Sequence, residues 1–459
     1  MDKPAATTTT TTATTTSPKV ASPPETPTPG TVSSSGTDAE NQSKLKVLLG
    51  ILRRFIGVAD IASVRFSLPS QLLEPVPNLE YWNYLDRPET FASIGDSDDE
   101  VGRFLAVLRF WFTKDLKFIK GKPCKPYNST LGEFFRCSWD VQETLPPLNT
   151  ESRPTSIKSV SSKAPATITP STASSAPQLA RVSFLTEQTS HHPPVSAFYI
   201  DCPEKGISAN GYDQISAKFT GTSIKVTPGI HNLGIFITLR NRGDESYRLT
   251  HPAAHLGGLL RGTLAVYVED VSYITCAKTK IRCVLQYLGD GWLGKAKHRV
   301  EGVVYRYDKD TENLEGLKGI PAKAIIAKID GSWMNQLYYT LAGSKERHLL
   351  IDLDPLFPVA KICPAPEEQL ANESRKMWEK VTEAIHAKDY GRATTVKQEI
   401  EERQRELTAE RAEKKIDWKP RFFEDMAERV GQPHLSEEGR KALEGLNSGS
   451  YKLEPYEMP

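Results

Sequence analysis

Apolar residues recur every three or four positions over 43–57, where Leu45, Leu48, Leu49, Leu52, Phe55 and Ile56 fall on one helical face and Lys44, Lys46, Arg53 and Arg54 on the other. The pattern predicts an amphipathic helix that Ser43 caps and Gly57 ends. Between about 180 and 340 the chain changes to short apolar runs at hairpin spacing, at 217–219, 223–226, 234–239, 263–268, 282–287 and 300–307, with Gly and Asn between them. These runs predict a large antiparallel sheet. Gly-rich corners at Gly257-Gly258 and Gly289-Asp290-Gly291 suit a sheet that curls and closes on itself, since closure removes unpaired edges and leaves room for a ligand. Past 366 the pattern becomes helical and charged, over 367–388 and 392–415, with a break near Asp389-Tyr390-Gly391.

Two stretches have no period. Residues 1–42 are dominated by Thr, Ser, Pro and Ala, and 146–178 has a similar Ser/Thr/Ala/Pro composition. Neither can bury enough apolar surface to offset its ordering entropy, so both are expected to be disordered, the second as an insertion at a loop tip.

Composition narrows the function classes. The chain has 459 residues, 38% of them apolar and 25% charged, which is material for one large or two ordinary folded units plus flexible tails. A formal net charge of +1 provides no global field towards nucleic acid, so any anion must be recognised locally. Cys124, Cys137, Cys202, Cys276, Cys283 and Cys363 show neither CxxC pairing nor the density of a disulfide scaffold, and read as reduced, mostly buried thiols. No run approaches the roughly 20 apolar residues of a membrane-spanning helix, and the threonine-rich start lacks the apolar core of a secretory signal. The expectation is a cytosolic protein, in which the glycosylation-like triplets at Asn128 and Asn372 are coincidences.

The strongest chemical feature is Ser190-His191-His192-Pro193-Pro194. Proline fixes φ and removes an N–H, so the two imidazoles are presented with little freedom left to lose. Side chains that charge so easily near neutral pH form a receptor for phosphate, or simply a turn whose histidines satisfy local hydrogen bonds. In the second charged helix Lys397, Glu401 and Arg405 share one face over roughly 12 Å, which taken alone is a solvated ladder of ion pairs. Gly289-x-Gly291-x-x-Gly294 matches a dinucleotide-binding pattern but opens no evident helix, and reads as hairpin turns. His251-x3-His255 has metal-ligand spacing, yet Pro252 breaks a helical pair and no nearby Cys or Glu completes a site. There is no Gly-x-Ser-x-Gly elbow and no phosphate-binding P-loop. Trp418-Lys419-Pro420-Arg421-Phe422-Phe423 has the aromatic spacing of core packing.

With its flanks, Phe184-Leu185-Thr186-Glu187-Gln188-Thr189-Ser190-His191-His192-Pro193-Pro194-Val195-Ser196-Ala197 resembles the fingerprint of the oxysterol-binding-protein-related lipid-transfer family, with Thr189 where an aliphatic residue is usual. Lys125-Pro126-Tyr127-Asn128-Ser129-Thr130-Leu131-Gly132-Glu133-Phe134-Phe135 is similar to that family's lipid-headgroup loop, with Cys124 and Ser129 in place of Lys and Pro. The resemblance runs from about 68 to about 423, interrupted by the insertion. It implies an α+β fold: a large, nearly closed antiparallel β-barrel around a lipid cavity, an N-terminal lid helix and a C-terminal helical region. The expected organisation is a tail over 1–42, lid helix and entrance segment over 43–67, the barrel domain over 68–430 and a tail over 431–459.

The resemblance also implies the chemistry. Lys125, His191, His192, Lys397 and Arg405 surround the phosphates of phosphatidylinositol 4-phosphate, Asn128 and the Tyr127 backbone read its oxygens, and Glu401 accepts an inositol hydroxyl or orients Arg405. Leu45, Leu48, Leu49, Leu52 and Phe55 line the lid, and Leu68 and Leu72 the entrance. A second lipid shares the cavity and is exchanged between membranes. The entrance segment Leu68 to Pro75 favours phosphatidylserine, as do Ile119 and Lys120 where sterol carriers have polar residues, with a sterol close behind. The implied partners are membrane lipids touched peripherally by a monomer, with no nucleic acid, metal, cofactor or catalytic residue. The competing readings are a lipid sensor or scaffold without net transport, and a lipid-modifying enzyme.

Overall fold

Runs rich in β-branched and aromatic residues form the strands that dominate the middle of the chain. The computed structural model describes residues 45–62, 68–121, 125–142, 145–146, 148, 150, 179–258, 264–289, 298–425 and 431–455. The tail expected over 1–42, most of the insertion, Ser43, Cys124 and most of the 289–294 glycine motif lie outside the described residues. In chain order the strands are β1 Leu73–Pro77, β2 Lys125–Tyr127, β3 Phe134–Val141, β4 Ala180–His191, β5 Pro194–Cys202, β6 Ile207–Asp213, β7 Ile215–Phe219, β8 Ile224–Pro228 and β9 Ile235–Leu239. They continue as β10 Glu245–Leu249, β11 Ala254–Gly257, β12 Ala265–Val268, β13 Asp270–Cys276, β14 Ile281–Tyr287, β15 Arg299–Arg306, β16 Ile325–Ser332, β17 Gln336–Leu341 and β18 His348–Asp352. Helices are α1 over residues 45–52, α2 Asn78–Tyr81, α3 Pro88–Ala92, α4 Glu100–Thr113, α5 Leu116–Lys120, α6 Ser374–His386, α7 Tyr390–Lys414 and α8 Glu437–Ser448.

One twelve-stranded sheet runs β3-β4-β5-β6-β9-β10-β13-β14-β15-β16-β17-β18, and a four-stranded sheet runs β7-β8-β11-β12. The pairings in both are antiparallel, as short hairpin connections require, while β1 and β2 pair in parallel. Inward residues of the large sheet, among them Phe135, Trp139, Phe198, Ile237, Leu285 and Leu350, form one cluster with Phe104, Leu108 and Phe110 of α4. Helix α4 is apolar almost all round and buried almost all round, which is the position such a helix needs. Of its two buried cations, Arg103 is matched by a bidentate pair to Glu245, both bonds 2.8 Å, and Arg109 donates to Leu350 O at 3.2 Å.

The expected large antiparallel sheet with helices is present, but among the described residues hydrogen bonds do not close it into a barrel: β3 and β18 are its two ends. The chain after β18 covers the β3 edge instead. Ser138 and Ile362 exchange two backbone bonds of 2.8 Å, and Phe134 N–H donates to Asn372 O at 3.2 Å. Pro355, Pro358, Pro364 and Pro366 punctuate this covering segment, and residues without an N–H cannot extend a ladder.

The boundary at 430 also moves. The segment expected as a tail carries α8, whose Ala442, Leu443 and Leu446 pack with Phe422, Phe423 and Leu435 on Phe134, Leu185, Val195 and Ala197. Ser436 caps this helix through Gly439 N–H, and Gly449 ends it at φ 76°. At the other end of the chain, Leu45 and Leu52 of α1 pack on Phe219 with Leu48, Leu49, Ile61, Ile224 and Leu264. The helix therefore lies on the small sheet. It tightens to a 3-10 turn at Arg53–Phe55, leaving Ile56 exposed where a full helix would have turned it inward. No helix among the described residues is long and apolar enough to cross a membrane.

Candidate functional site

Strands β4 and β5 form a hairpin whose tip is the histidine pair. Pairing runs Gln188↔Ser196, shifts by a bulge at Thr189, and resumes at Ser190↔Val195 and His191↔Pro194. The His192–Pro193 peptide is cis, and the two imidazole centroids lie 4.6 Å apart at 60°. Both histidines are exposed while the strands behind them are buried. Thr189 replaces an aliphatic side chain at no cost in unsatisfied polarity, since its hydroxyl donates to Val195 O at 3.3 Å.

The loop carrying Lys125 and Asn128 is held against this hairpin by backbone bonds. Gly132, in the left-handed region at φ 75°, donates to Gln188 O at 3.0 Å, and Gln188 N–H donates to Glu133 O at 2.8 Å. Lys125 Nζ donates to Asn128 Oδ1 at 2.6 Å, which aims an ammonium and an amide at one point. Tyr127 faces the other way. Its ring is fully buried on Trp378 of α6 at 4.9 Å, its hydroxyl meets Thr382 at 3.0 Å, and burial pushes the phenol up to about 12. Only its backbone is left to read a ligand.

Helix α7 reaches the same region through the entrance segment. Ser70 Oγ and Thr394 Oγ1 are hydrogen-bonded at 3.0 Å, and the chain leaving Ser70 enters β1, where Leu73 pairs with Lys125. Leu68 and Leu72 are half-buried there. Lys397, one turn beyond Thr394, is buried and donates to Glu401 Oε1 at 3.0 Å. Arg405 stands apart from the arrangement expected: it is exposed and pairs with Glu402, which holds its guanidinium above the ordinary range, while Glu401 orients Lys397 instead. Thr395, Gln398, Glu399, Glu401, Glu402 and Arg405 line an open groove of about 500 Å³. Its three carboxylates make it a poor phosphate pocket on its own. The structure thus joins Lys125 with Asn128, His191 with His192, and Lys397 with Glu401, and ties these pairs together through Gln188 and Ser70.

Two carboxylates that position the site were quoted within the motifs but given no role from sequence. Glu133 accepts from Thr130 N–H at 2.9 Å, Ser374 Oγ at 2.7 Å and Trp378 Nε1 at 3.1 Å, locking the Lys125 loop to α6. Glu187 accepts from the N–H groups of Arg421 and Phe422 at 2.7 and 2.8 Å, locking β4 to the C-terminal layer. Burial pushes each up to about 7 despite these donors. The available signal was a charged residue inside an apolar strand, which needs a built partner set.

Inside the sheet, the end of α4 meets a polar cluster. Tyr84 donates to Asp213 at 2.5 Å, and His251 stacks on Tyr84 at 5.5 Å and lies 5.8 Å from Trp111, with Lys114 over both aromatic rings. Burial pushes Asp213 up to about 7 and His251 down to about 3, although both keep some accessible surface. His251 sits in a loop, and no group of three or more potential metal ligands occurs among the described residues. Ile119 packs on the core, whereas Lys120 donates outward to Asp354 O at 2.9 Å.

Comparison with known proteins fits this geometry. The family model described as "Oxysterol-binding protein" matches residues 47–441. Over 90% of its length the chain is 44% identical to "Oxysterol-binding protein-like protein 1" of Schizosaccharomyces pombe, covering 93% of that protein. It is 30% identical to human "Oxysterol-binding protein-related protein 9" over 86% of its own length, spanning about half, 48%, of that relative. Among solved structures, the Osh1 ORD domain in complex with cholesterol matches at TM-score 0.59 and 20% identity, covering 89% of this chain and 98% of that one. The Osh3 ORD in complex with PI(4)P from Saccharomyces cerevisiae matches at TM-score 0.54 and 15% identity, covering 83% and 88%. At these identities the structures establish a shared fold.

Proposed function

This chain belongs to the oxysterol-binding protein family, whose members bind and carry lipids rather than act as enzymes, and from that premise we propose that it exchanges two lipids between membranes. One ligand is phosphatidylinositol 4-phosphate. The other, phosphatidylserine or a sterol, occupies the same internal space in turn, and the protein contacts membranes peripherally.

The observation that carries the reading is the reciprocal pair of backbone bonds between Gly132, Glu133 and Gln188, which fixes the Lys125–Asn128 loop beside the exposed histidine pair. A phosphorylated inositol needs its charge matched by several cations, and its acyl tails need removal from water. His191, His192, Lys125 and Lys397 supply the cations, with Arg405 joining if phosphate draws it from Glu402. Asn128 and the Tyr127 backbone supply neutral contacts, and Glu401 holds Lys397 in place. The cluster lined by α4 and the inner sheet face takes the tails or the second lipid, whose hydroxyl or ammonium group would find an acceptor in Asp213. Leu45, Leu48, Leu49 and Leu52, with Phe55, cover the opening from the small sheet.

The test is extraction of phosphatidylinositol 4-phosphate from liposomes by a His191→Ala, His192→Ala double variant. Both side chains are exposed, so melting should stay near that of the parent while extraction is lost. Undiminished extraction by the folded variant refutes the assigned site. Mass spectrometry of lipids that copurify with the protein from cells identifies the second cargo.

A further inference from the structure

We propose that Cys137 and Cys363 are an oxidisable dithiol that forms a reversible disulfide across the seam between β3 and the segment following β18. The register places them opposite one another. Ser138 and Ile362 exchange both of their backbone bonds at 2.8 Å in an antiparallel bridge, which makes the flanking positions 137 and 363 a directly opposed, non-hydrogen-bonded pair on one face. Such pairs bring Cα atoms to about 4.5 Å, inside the range that a disulfide spans. Both side chains meet the same inner cluster, Cys137 fully buried and Cys363 half-buried.

The two sulfurs are not equivalent. The neighbouring Cys137 thiol, with Arg375 and Lys361 nearby, holds Cys363 below its ordinary value against its own burial and the opposing charge of Glu80. Burial pushes Cys137 the other way. The less covered member, Cys363, is therefore the one that attacks, and the fully covered Cys137 resolves. With a peroxide as oxidant, the Cys363 thiolate attacks one peroxide oxygen, the O–O bond breaks, and hydroxide leaves a sulfenic acid behind. The Cys137 sulfur then bonds to the Cys363 sulfur, the S–O bond breaks, and the Cys137 proton leaves with the hydroxyl as water. Both sulfurs are oxidised and the peroxide is reduced to two waters once the first hydroxide takes up a proton. A thiol reductant reverses the bond. The bridge ties the base of the α6–α7 arm to the edge of the large sheet.

The full-length protein, reduced and freed of reductant, is treated with hydrogen peroxide, alkylated, and digested without reduction for peptide mass spectrometry. The expected result is a linked peptide pair containing residues 137 and 363, lost on adding dithiothreitol and absent from Cys363→Ser. Cys202→Ser should leave it unchanged. A Cys137→Ala variant should accumulate sulfenic acid at Cys363, trapped by dimedone; if that variant misfolds, the wild-type map still decides. Over-oxidation of Cys363 without a link, a bridge to any other cysteine, or no reaction at either residue overturns the proposal.

Discussion

The two halves of the large sheet differ in what lies outside them. Strands β10, β13 and β17 alternate between buried and more open residues, as a wall with one face on the core must. In β3, β4 and β5 nearly every residue is buried, because α4 and its neighbours fill the inner face while Phe422, Phe423 and α8 cover the outer one. The histidine hairpin projects from the doubly covered half. A binding group on an exposed tip gains precision when the strands behind it are fixed from both sides, since fewer orientations must be given up on binding.

The contrast should be largest in stability. Phe422→Ala removes a ring that packs edge-on against Phe134 at 4.9 Å, and should cost about 3–5 kcal/mol in a urea titration. Leu349→Ala, at an exposed position of β18, should change the midpoint by no more than about 0.5 kcal/mol. Equal effects would remove the distinction between the halves.

A smaller effect is expected at Glu187. Glu187→Gln leaves one of two buried N–H groups facing an amide nitrogen, at a cost of about 1–3 kcal/mol. The pH dependence has a definite sign. Burial raises this carboxyl to about 7 from an ordinary value of 4.5, so the folded chain holds the proton more tightly than the unfolded one. Its contribution is fully present below 4.5 and declines as pH rises through about 7. Urea midpoints of parent and variant at the two ends of that window should therefore differ more on the acid side.

Within α7 the same contrast of covered and open groups separates two cations. Lys397→Ala removes a buried ammonium and should weaken phosphoinositide binding by about tenfold, or about 1.4 kcal/mol, in a liposome titration. Arg405→Ala should weaken it less and leave the urea midpoint unmoved, because its guanidinium is exposed on Glu402. If Arg405 proves the more important residue, it must leave Glu402 on binding.

Open alternation is also what made much of the fold legible. The apolar runs at 217–219, 223–226, 234–239, 282–287 and 300–307 fall within or close to β7, β8, β9, β14 and β15. The break at 389–391 is real, with Asp389 capping α7 through Arg392 N–H at 3.0 Å. The histidine pair was legible because adjacent prolines and imidazoles have few other uses. The roles of Glu133 and Glu187 were not, because each depends on donors more than 200 residues away in sequence, at Ser374 and at Arg421. Helix α8 was passed over because Ala442, Leu443 and Leu446 are too few to define a period, and only the outer face of β4 shows what they cover. How far the sheet closes was only partly legible: glycine corners suit a curling sheet, while the prolines from 355 to 366 limit pairing at its edge.

That edge bears on the girth of the molecule. A ring of strands laddered all the way round has a circumference fixed in whole-residue steps, because neighbours can slide only by changing partners. Here the β3 edge is met only at intervals among the described residues, by the two bonds of Ser138 and Ile362 and the bond from Phe134 to Asn372, with prolines that donate no N–H near them. Small shifts at this seam re-register no strand, the kind of give that the proposed exchange of two unequal lipids would call for.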